Sequence, residues 1–463
     1  MKRSMRAITL VAILLVISVA TFALTRYEEK KEQIKNSDEI ILEIPKDKVE
    51  SLSWEFEDDS LAFHKDYETW VYDKDEAFPV SGEKVNDILS NFEAFGVSFI
   101  IENVEDYGQY GLDKPECTIH LTTTDSSYQI KLGNFSKMDE QRYLDIGDGN
   151  VYLVSKDPMD YLETELSGMI LHDELPDFES IKDIQFTGKE NYSIFYVEDS
   201  KDSYSQDDVY FTEKNGKNLP LDTETVKDYL DTITSLKLKD YVTYNATDED
   251  LESYGLNNPE LSISINYTYT DEEDNELSDS LILHISQDPE ELKATKEAQA
   301  KAEDTKKDKE SQESDNEEAK DEEDVPAVTK YLMVGDSQII YKLDDSDYDI
   351  LAAASYNDLR HKEVIWADFD MVKQIDITLE GKNHTINSSL DGDDDDAEPI
   401  WYYNDKEIDI SNFKSGIESL VADSFTDETP SQKEEICLVV HLENENFPQV
   451  EIRLYRYDGS YCL

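Results

Sequence analysis

Cysteine is nearly missing from this chain. Cys117, Cys437 and Cys462 are the three thiols in 463 residues, far apart and with no CxxC pair. That spacing indicates neither a disulfide framework nor a zinc site. If the chain is exported, the odd count leaves at least one thiol unpaired within the monomer. Cys117 and Cys437 stand in strand-like runs and read as small buried hydrophobes. Positive charge is scarce as well: 43 Lys and Arg against 108 Asp and Glu, a net charge of −65. Such a surface repels phosphates, which argues against a nucleic-acid partner, and it does not lie flat on an anionic membrane. It suits a solvated protein that meets cations or basic partners. Catalytic signatures are missing too. There is no GxGxxG, no P-loop lysine motif and no GxSxG elbow. The seven histidines, His64, His120, His172, His284, His361, His384 and His441, are dispersed and form neither HExxH nor a close pair with another ligand type. No catalytic, cofactor-binding or metal-ligating residue is assigned, no cofactor is expected, and no small-molecule substrate is identifiable.

What is present is enough to fold. Hydrophobic residues make up 38%, with 28 Tyr, 16 Phe and 4 Trp, and the length suits about two to four domains. The N-terminus is the most specific signal. Basic "MKRSMR" precedes Ala7–Leu24, an uncharged apolar run of 18 residues. As a helix it would rise about 27 Å, close to the hydrocarbon thickness of a bilayer. An uncleaved signal anchor is the preferred reading, and a cleaved signal peptide with Ser18-x-Ala20 as its site is the alternative. No cysteine follows the run, which excludes a lipoprotein anchor. Basic residues flank both sides, but the short basic tail before a first apolar segment places the C-terminal bulk outside the cytoplasm. The charged stretch after it reads as a stalk that extends the anchor helix.

Three segments share one grammar: an aromatic strand, a polar turn, then a helix. They begin at Trp70, Val209 and Trp401. Their helices carry Val85, Ile88, Leu89 and Phe92; Val226, Tyr229, Leu230 and Ile233; and Phe413, Ile417, Leu420 and Val421, each set one stripe of a 3.6-residue period. Ser81, Asp222 and Ser411 stand as N-caps. The openings "VESLSW", "IKDIQF" and "VKQIDI" match, and so do the closings "RYLDIGDGNVYLV" and "KYLMVGDSQIIYKL", which read as hairpins followed by helices. A repeated module follows from this.

The expected organisation is a cytoplasmic tail and transmembrane anchor over 1–26, a stalk over 27–39, and α+β modules over 40–175, 176–365 and 366–463. Module two carries a charged insert over about 288–326, read as disordered rather than as a lone helix. Module three reads as divergent or truncated. The acidic run Asp391–Glu398 does not follow the order of an EF-hand and reads as a solvated loop. Trp54, Trp70, Tyr72, Trp401 and Tyr403 are expected to pack beneath the helices, with an aromatic ligand groove as the alternative.

The strings "YGLDKPE" (110–116) and "YGLNNPE" (254–260) carry the most distinctive repeat. Each follows a helix-compatible stretch. Gly111 and Gly255 suit a left-handed C′ position, Leu112 and Leu256 suit the hydrophobic contact of a Schellman cap, and Pro115 and Pro259 forbid further helix. The heptapeptide therefore reads as a corner from helix to strand, and module three has no copy of it. With the single N-terminal apolar helix, the helix starts "FPVSGEKV" and "LPLDTETV", and the "VYLV" closing strand, these corners resemble the bacterial family named domain of unknown function 4340. Members are often encoded beside ABC transporter components of the gliding-motility auxiliary type. The resemblance implies a membrane-tethered, extracytoplasmic accessory role, with ABC transporter subunits as partners, and it transfers no catalytic residue.

The fold class expected is α+β: tandem repeated modules of antiparallel sheet with amphipathic helices, preceded by one N-terminal transmembrane helix. The function expected is a non-enzymatic accessory or binding protein of an envelope transport system. A module that binds cell-wall glycan or divalent cations is the alternative.

Overall fold

The computed structural model describes residues 14–22, 33–36, 39–57, 59–154, 156–271, 273–310, 327–389, 399–458 and 462–463. The chain divides into two compact units, Met1–His172 and Asp173–Leu463. The architecture is α+β, with three antiparallel sheets among the described residues.

In the first unit the strands are β1 (Gln33–Asn36), β2 (Ile40–Leu42), β3 (Val49–Phe56), β4 (Asp59–Asp66), β5 (Thr69–Tyr72), β6 (Phe95–Glu102), β7 (Cys117–Thr123), β8 (Ser127–Ser136), β9 (Gln141–Asp145) and β10 (Val151–Val154). They order as β1-β6-β10-β9-β8-β7-β3-β4-β5, with β2 also paired to β6. Residues 33–36 of the expected stalk are thus a strand against β6 and do not extend a helix. Between β5 and β6 runs a helix, Gly82–Ser90, capped by Ser81, whose side chain accepts the Lys84 N–H. It buries Val85, Ile88 and Leu89, as its apolar stripe requires. On the same sheet Trp54, Phe63 and Tyr72 form an aromatic row across β3, β4 and β5, with ring centroids 5.7 and 5.4 Å apart.

The second unit carries two sheets. In the first of these, β11 (Ser180–Gly188), β12 (Tyr192–Tyr196), β13 (Tyr210–Lys214), β14 (Lys217–Pro220), β15 (Tyr241–Thr243), β16 (Leu261–Thr270), β17 (Glu276–Gln287), β18 (Lys330–Val334) and β19 (Ile340–Leu343) order as β14-β13-β12-β11-β16-β17-β18-β19-β15. Read from the opposite edge, the first sheet has the same arrangement: an aromatic strand, a central opening strand, the strand after the corner, two closing strands and a late strand, which is the edge in the second sheet and is covered by β1 in the first. The third sheet, β20 (Val372–Leu379), β21 (Lys382–Ser389), β22 (Ile400–Tyr403), β23 (Lys406–Ile408), β24 (Glu434–Leu442) and β25 (Gln449–Tyr455), orders as β23-β22-β21-β20-β24-β25 and among the described residues has no strands matching β9 and β10.

The helix of the second module, Thr223–Ser235, buries Val226, Tyr229, Leu230 and Ile233, and its cap Asp222 accepts two backbone N–H groups. The third helix departs from expectation. It spans Ser411–Glu418, and Ser411 is its first residue, not its cap. The cap position is Ile410, which has no capping side chain, and Asp409 one residue earlier accepts the Ser411 N–H at 2.8 Å. Leu420 and Val421 lie past the helix end, and Val421 is exposed. Between β17 and β18, where the sequence pointed to disorder, Pro289–Glu310 is a helix. Asp288 accepts the Glu290 and Glu291 N–H groups, proline occupies the first helical position, and Ala, Lys, Glu and Gln favour helix once such a cap starts it. The rest of the insert, 311–326, lies outside the described residues, as does the acidic run Asp391–Glu398.

The anchor segment Ala7–Leu24 also lies partly outside them. Residues 14–22 are helical and exposed, and among the described residues no helix is long and apolar enough to cross a membrane.

Both heptapeptides form the same corner. The Gly111 N–H donates to Gly108 O and the Leu112 N–H to Tyr107 O, while Gly255 donates to Glu252 O and Leu256 to Leu251 O. This pair of bonds defines a Schellman motif, and Gly111 and Gly255 each take φ 72°. Leu112 packs with Ile101, Val151 and Leu153, and Leu256 with Tyr331, Met333 and Ile340. Each leucine thereby docks the corner on its own closing strands.

Two predictions follow from these positions. A Cβ on Gly255 would stand 2.6 Å from Ser286 Oγ at a positive φ. Gly255→Ala should destabilise the second unit by about 1–3 kcal/mol, read by urea unfolding; an unchanged midpoint would show that the corner relaxes freely. Burial pushes the Cys117 thiol up to about 12, whereas Cys462 is exposed. Native protein at neutral pH should therefore alkylate at Cys462 and leave Cys117 untouched until urea is added, checked by peptide mass spectrometry.

Candidate functional site

The heptapeptides end in Glu116 and Glu260, and each glutamate is held from the closing half of its module, Glu116 by a charge and Glu260 by a hydroxyl. In the first unit, Arg142 on β9 lies almost wholly buried between Glu116 and Asp157; its Nε donates to Asp157 at 2.8 Å and its Nη1 to Glu116 and to Gly133 O. In the second, Lys330 on β18 pairs with Asp345 at 2.6 Å, and the Tyr348 hydroxyl donates to Glu260 at 2.8 Å. Arg142 and Asp157 stand at the same spacing in sequence as Lys330 and Asp345. The corner tyrosines repeat as well, with Tyr110 against Tyr143 and Tyr254 against Tyr331 at 4.9 and 4.7 Å. These groups are saturated by one another, and their chemistry is that of a clamp on the corner.

The aromatic candidates also serve packing. Trp54, Trp70, Tyr72 and Trp401 are buried in cores, and Tyr403 is half-buried with its hydroxyl at 2.7 Å from His384 Nδ1. Most histidines take simple local partners. His64 lies on Asp73, His441 on Asp376 and His284 on Ser262, and burial holds His284 below its usual pKa. His120 is exposed on β7 and His172 ends the first unit.

His361 is different. Between β12 and β13 the second module has a loop, 197–209, where the first module has a two-residue turn. Thr223 at the start of the second helix ties this loop down, donating to Asp207 O and accepting from the Val209 N–H. The loop sends Tyr204 into the core of the third module, against Trp366 and Phe447. It also buries Asp208, which is 3% exposed. Asp208 accepts three bonds: from His361 Nε2 at 2.8 Å, from Trp366 Nε1 at 3.0 Å, and from the Ser203 hydroxyl. The imidazole stacks on the Trp366 indole, with centroids 4.0 Å apart and planes 10° from parallel.

The other ring nitrogen of this imidazole stands near two more carboxylates. His361 Nδ1 is 3.7 Å from Glu363 Oε2. His361 and Glu363 are two residues apart beside a short antiparallel pairing of 362–364 with 420–422, and such spacing puts both side chains on one side of an extended segment. Asp222 closes the group; one ligand atom from each of Asp222, His361 and Glu363 lies within 4.8 Å of the others. Among the described residues these offer a mixed nitrogen and oxygen set to a cation. Sequence reasoning weighed His361 as one of seven dispersed histidines and used Asp222 as a cap alone. The usable signals were the His-x-Glu spacing and the extra loop of the second module.

A third feature is a groove of about 620 Å³ in the second module, lined by Lys189, Glu190, Glu260, Tyr348, Ser355 and Asp358. Its walls mix charge and apolar surface without a convergent set of groups.

The profile of the family described as domain of unknown function (DUF4340) matches residues 70–259 and again residues 213–305, the second match starting within β13. No curated protein and no solved structure matches the chain.

The buried clamp gives a prediction for the first unit. Arg142→Met should strip Asp157 of its countercharge and cost about 3–5 kcal/mol, whereas Glu116→Gln, at a half-exposed site, should cost about 1 kcal/mol or less. Denaturant unfolding of the two variants measures the difference, and equal losses would contradict the assignment.

Proposed function

We propose, from the premise that this chain belongs to the family described as domain of unknown function (DUF4340), that it is a single-pass, membrane-anchored accessory protein. It presents its α+β modules outside the cytoplasm, has no catalysis of its own, and assembles with subunits of an ABC-type envelope transport system. The observation that carries this reading is the N-terminal apolar run. Within it Leu14, Leu15, Val16, Ile17 and Val19 are more than half exposed on a helix. Consecutive exposed side chains of this kind are stable where hydrocarbon covers them. The acidic modules that follow are the opposite, a surface that stays in water. A role without catalysis is supported by the way the titratable groups are used: the repeated carboxylates hold the corners, and most histidines serve single local contacts.

Alkaline extraction of membranes tests the anchor. Full-length protein should stay in the pellet, and a chain lacking residues 1–26 should move to the supernatant. Affinity capture with the anchor intact should recover the ATPase and permease of one transporter. A full-length chain that extracts freely, or repeated captures without a transporter subunit, would sink this reading.

A further inference from the structure

We propose that Asp222, His361 and Glu363 bind one first-row divalent transition-metal ion of the zinc class, which fastens the second module to the third. The inference is independent of what the chain assembles with at the membrane. It starts from the tautomer of His361. An ionised carboxylate only accepts hydrogen bonds, so Asp208 fixes the proton on Nε2 and turns the Nδ1 lone pair toward Glu363. Nδ1 and Glu363 Oε2 are 3.7 Å apart, too far for a hydrogen bond. That oxygen is itself buried and has no hydrogen-bond partner. A buried acceptor facing a lone pair is unfavourable as it stands. Two donors bound to one zinc ion at about 2.0–2.1 Å lie about 3.3 Å apart, so an ion fits with a shift of a few tenths of an ångström.

Asp222 can join without giving up its cap. Both backbone N–H groups it accepts fall on Oδ1, which leaves the carboxylate a second oxygen for the ion. Asp208 and Trp366 supply the outer support that metal-bound histidines characteristically have: a carboxylate on the far ring nitrogen and a wall that sets the ring plane. The charge points the same way. Asp208, Asp222 and Glu363 bring three carboxylates around one neutral imidazole, and Asp208 and Glu363 meet no Lys or Arg among the described residues' ion pairs. An imidazole ligand favours zinc, iron, nickel or copper over calcium and magnesium. Three protein ligands leave a position for water or for a donor from elsewhere. Asp222 caps the second module's helix, while Glu363 is itself bridged to Val421 of the third module, so the ion would tie that helix to the pairing that joins the two sheets of the second unit.

The competing arrangement is a protonated His361 held between Asp208 and Glu363 with no ion. Full-length protein stripped with chelator, then titrated with Zn²⁺ against a chromophoric competitor, separates the two. One site should stand above the weak background of the acidic surface. Asp222→Asn keeps a capping side chain and Glu363→Gln keeps the shape, yet each should weaken that site at least about tenfold; Asp208→Asn should weaken it about 10–100-fold. Co²⁺ in the wild type should give the strong visible absorption of a four- or five-coordinate ion, and either ligand variant should lose it. Zn²⁺ binding equal in all four proteins, or a Co²⁺ spectrum identical to that of the hydrated ion, overturns the proposal and leaves the protonated histidine.

Discussion

The first two modules depend on one backbone event, a helical turn stopped by a glycine in the left-handed region. The late strand, β6 beside the edge strand β1 or β15 at the edge itself, leaves the chain far from the centre of its sheet, and the next strand must pair beside the opening strand, β3 or β11. The corner makes that return. Its two backbone bonds consume the carbonyls that a helix end leaves unpaired, and its leucine fixes the corner to the closing strands. Glycine is required because any Cβ would clash there; proline three residues on keeps the helix from continuing.

Around this shared corner the modules diverge in their polar chemistry. The first clamps its glutamate directly with a buried arginine, which offers a planar fork to two carboxylates. The second replaces arginine with lysine and interposes the Tyr348 hydroxyl, whose own proton burial and the bond to Glu260 hold more tightly than usual. A lysine carries one compact charge and reaches Asp345; the tyrosine supplies the bond to Glu260 that the fork would have made. The second module also departs by adding the loop 197–209. That insertion places Tyr204 in the third module's core and Asp208 under His361, so a change in one hairpin joins two sheets into a single compact unit.

The legible parts of the sequence were those set by neighbours in the chain. The stripes Val85, Ile88, Leu89 and Val226, Tyr229, Leu230, Ile233 declare their helices because a helix face is a local periodicity. The heptapeptides declare their caps because glycine, leucine and proline act within six residues. The third helix was misplaced at its start for a related reason: Asp409 and Ser411 both have side chains that suit a cap, whereas the backbone puts the cap position at Ile410 between them. The helix Pro289–Glu310 ranked below disorder in the sequence because its composition suits both a solvated coil and a capped helix, and the Asp288 cap tips that balance.

By itself, then, the sequence determined the α+β class, the repeat, the two corners and the uncharged apolar run at the N-terminus. Each of these is written in contacts among residues a few positions apart. Only the tertiary structure decided that Arg142 is the buried clamp of the first corner, that Asp208 and His361 meet, and that Asp222 and Glu363 face the same imidazole. Those groups are separated by tens to more than a hundred positions, and nothing in their spacing records the strand order that brings them together.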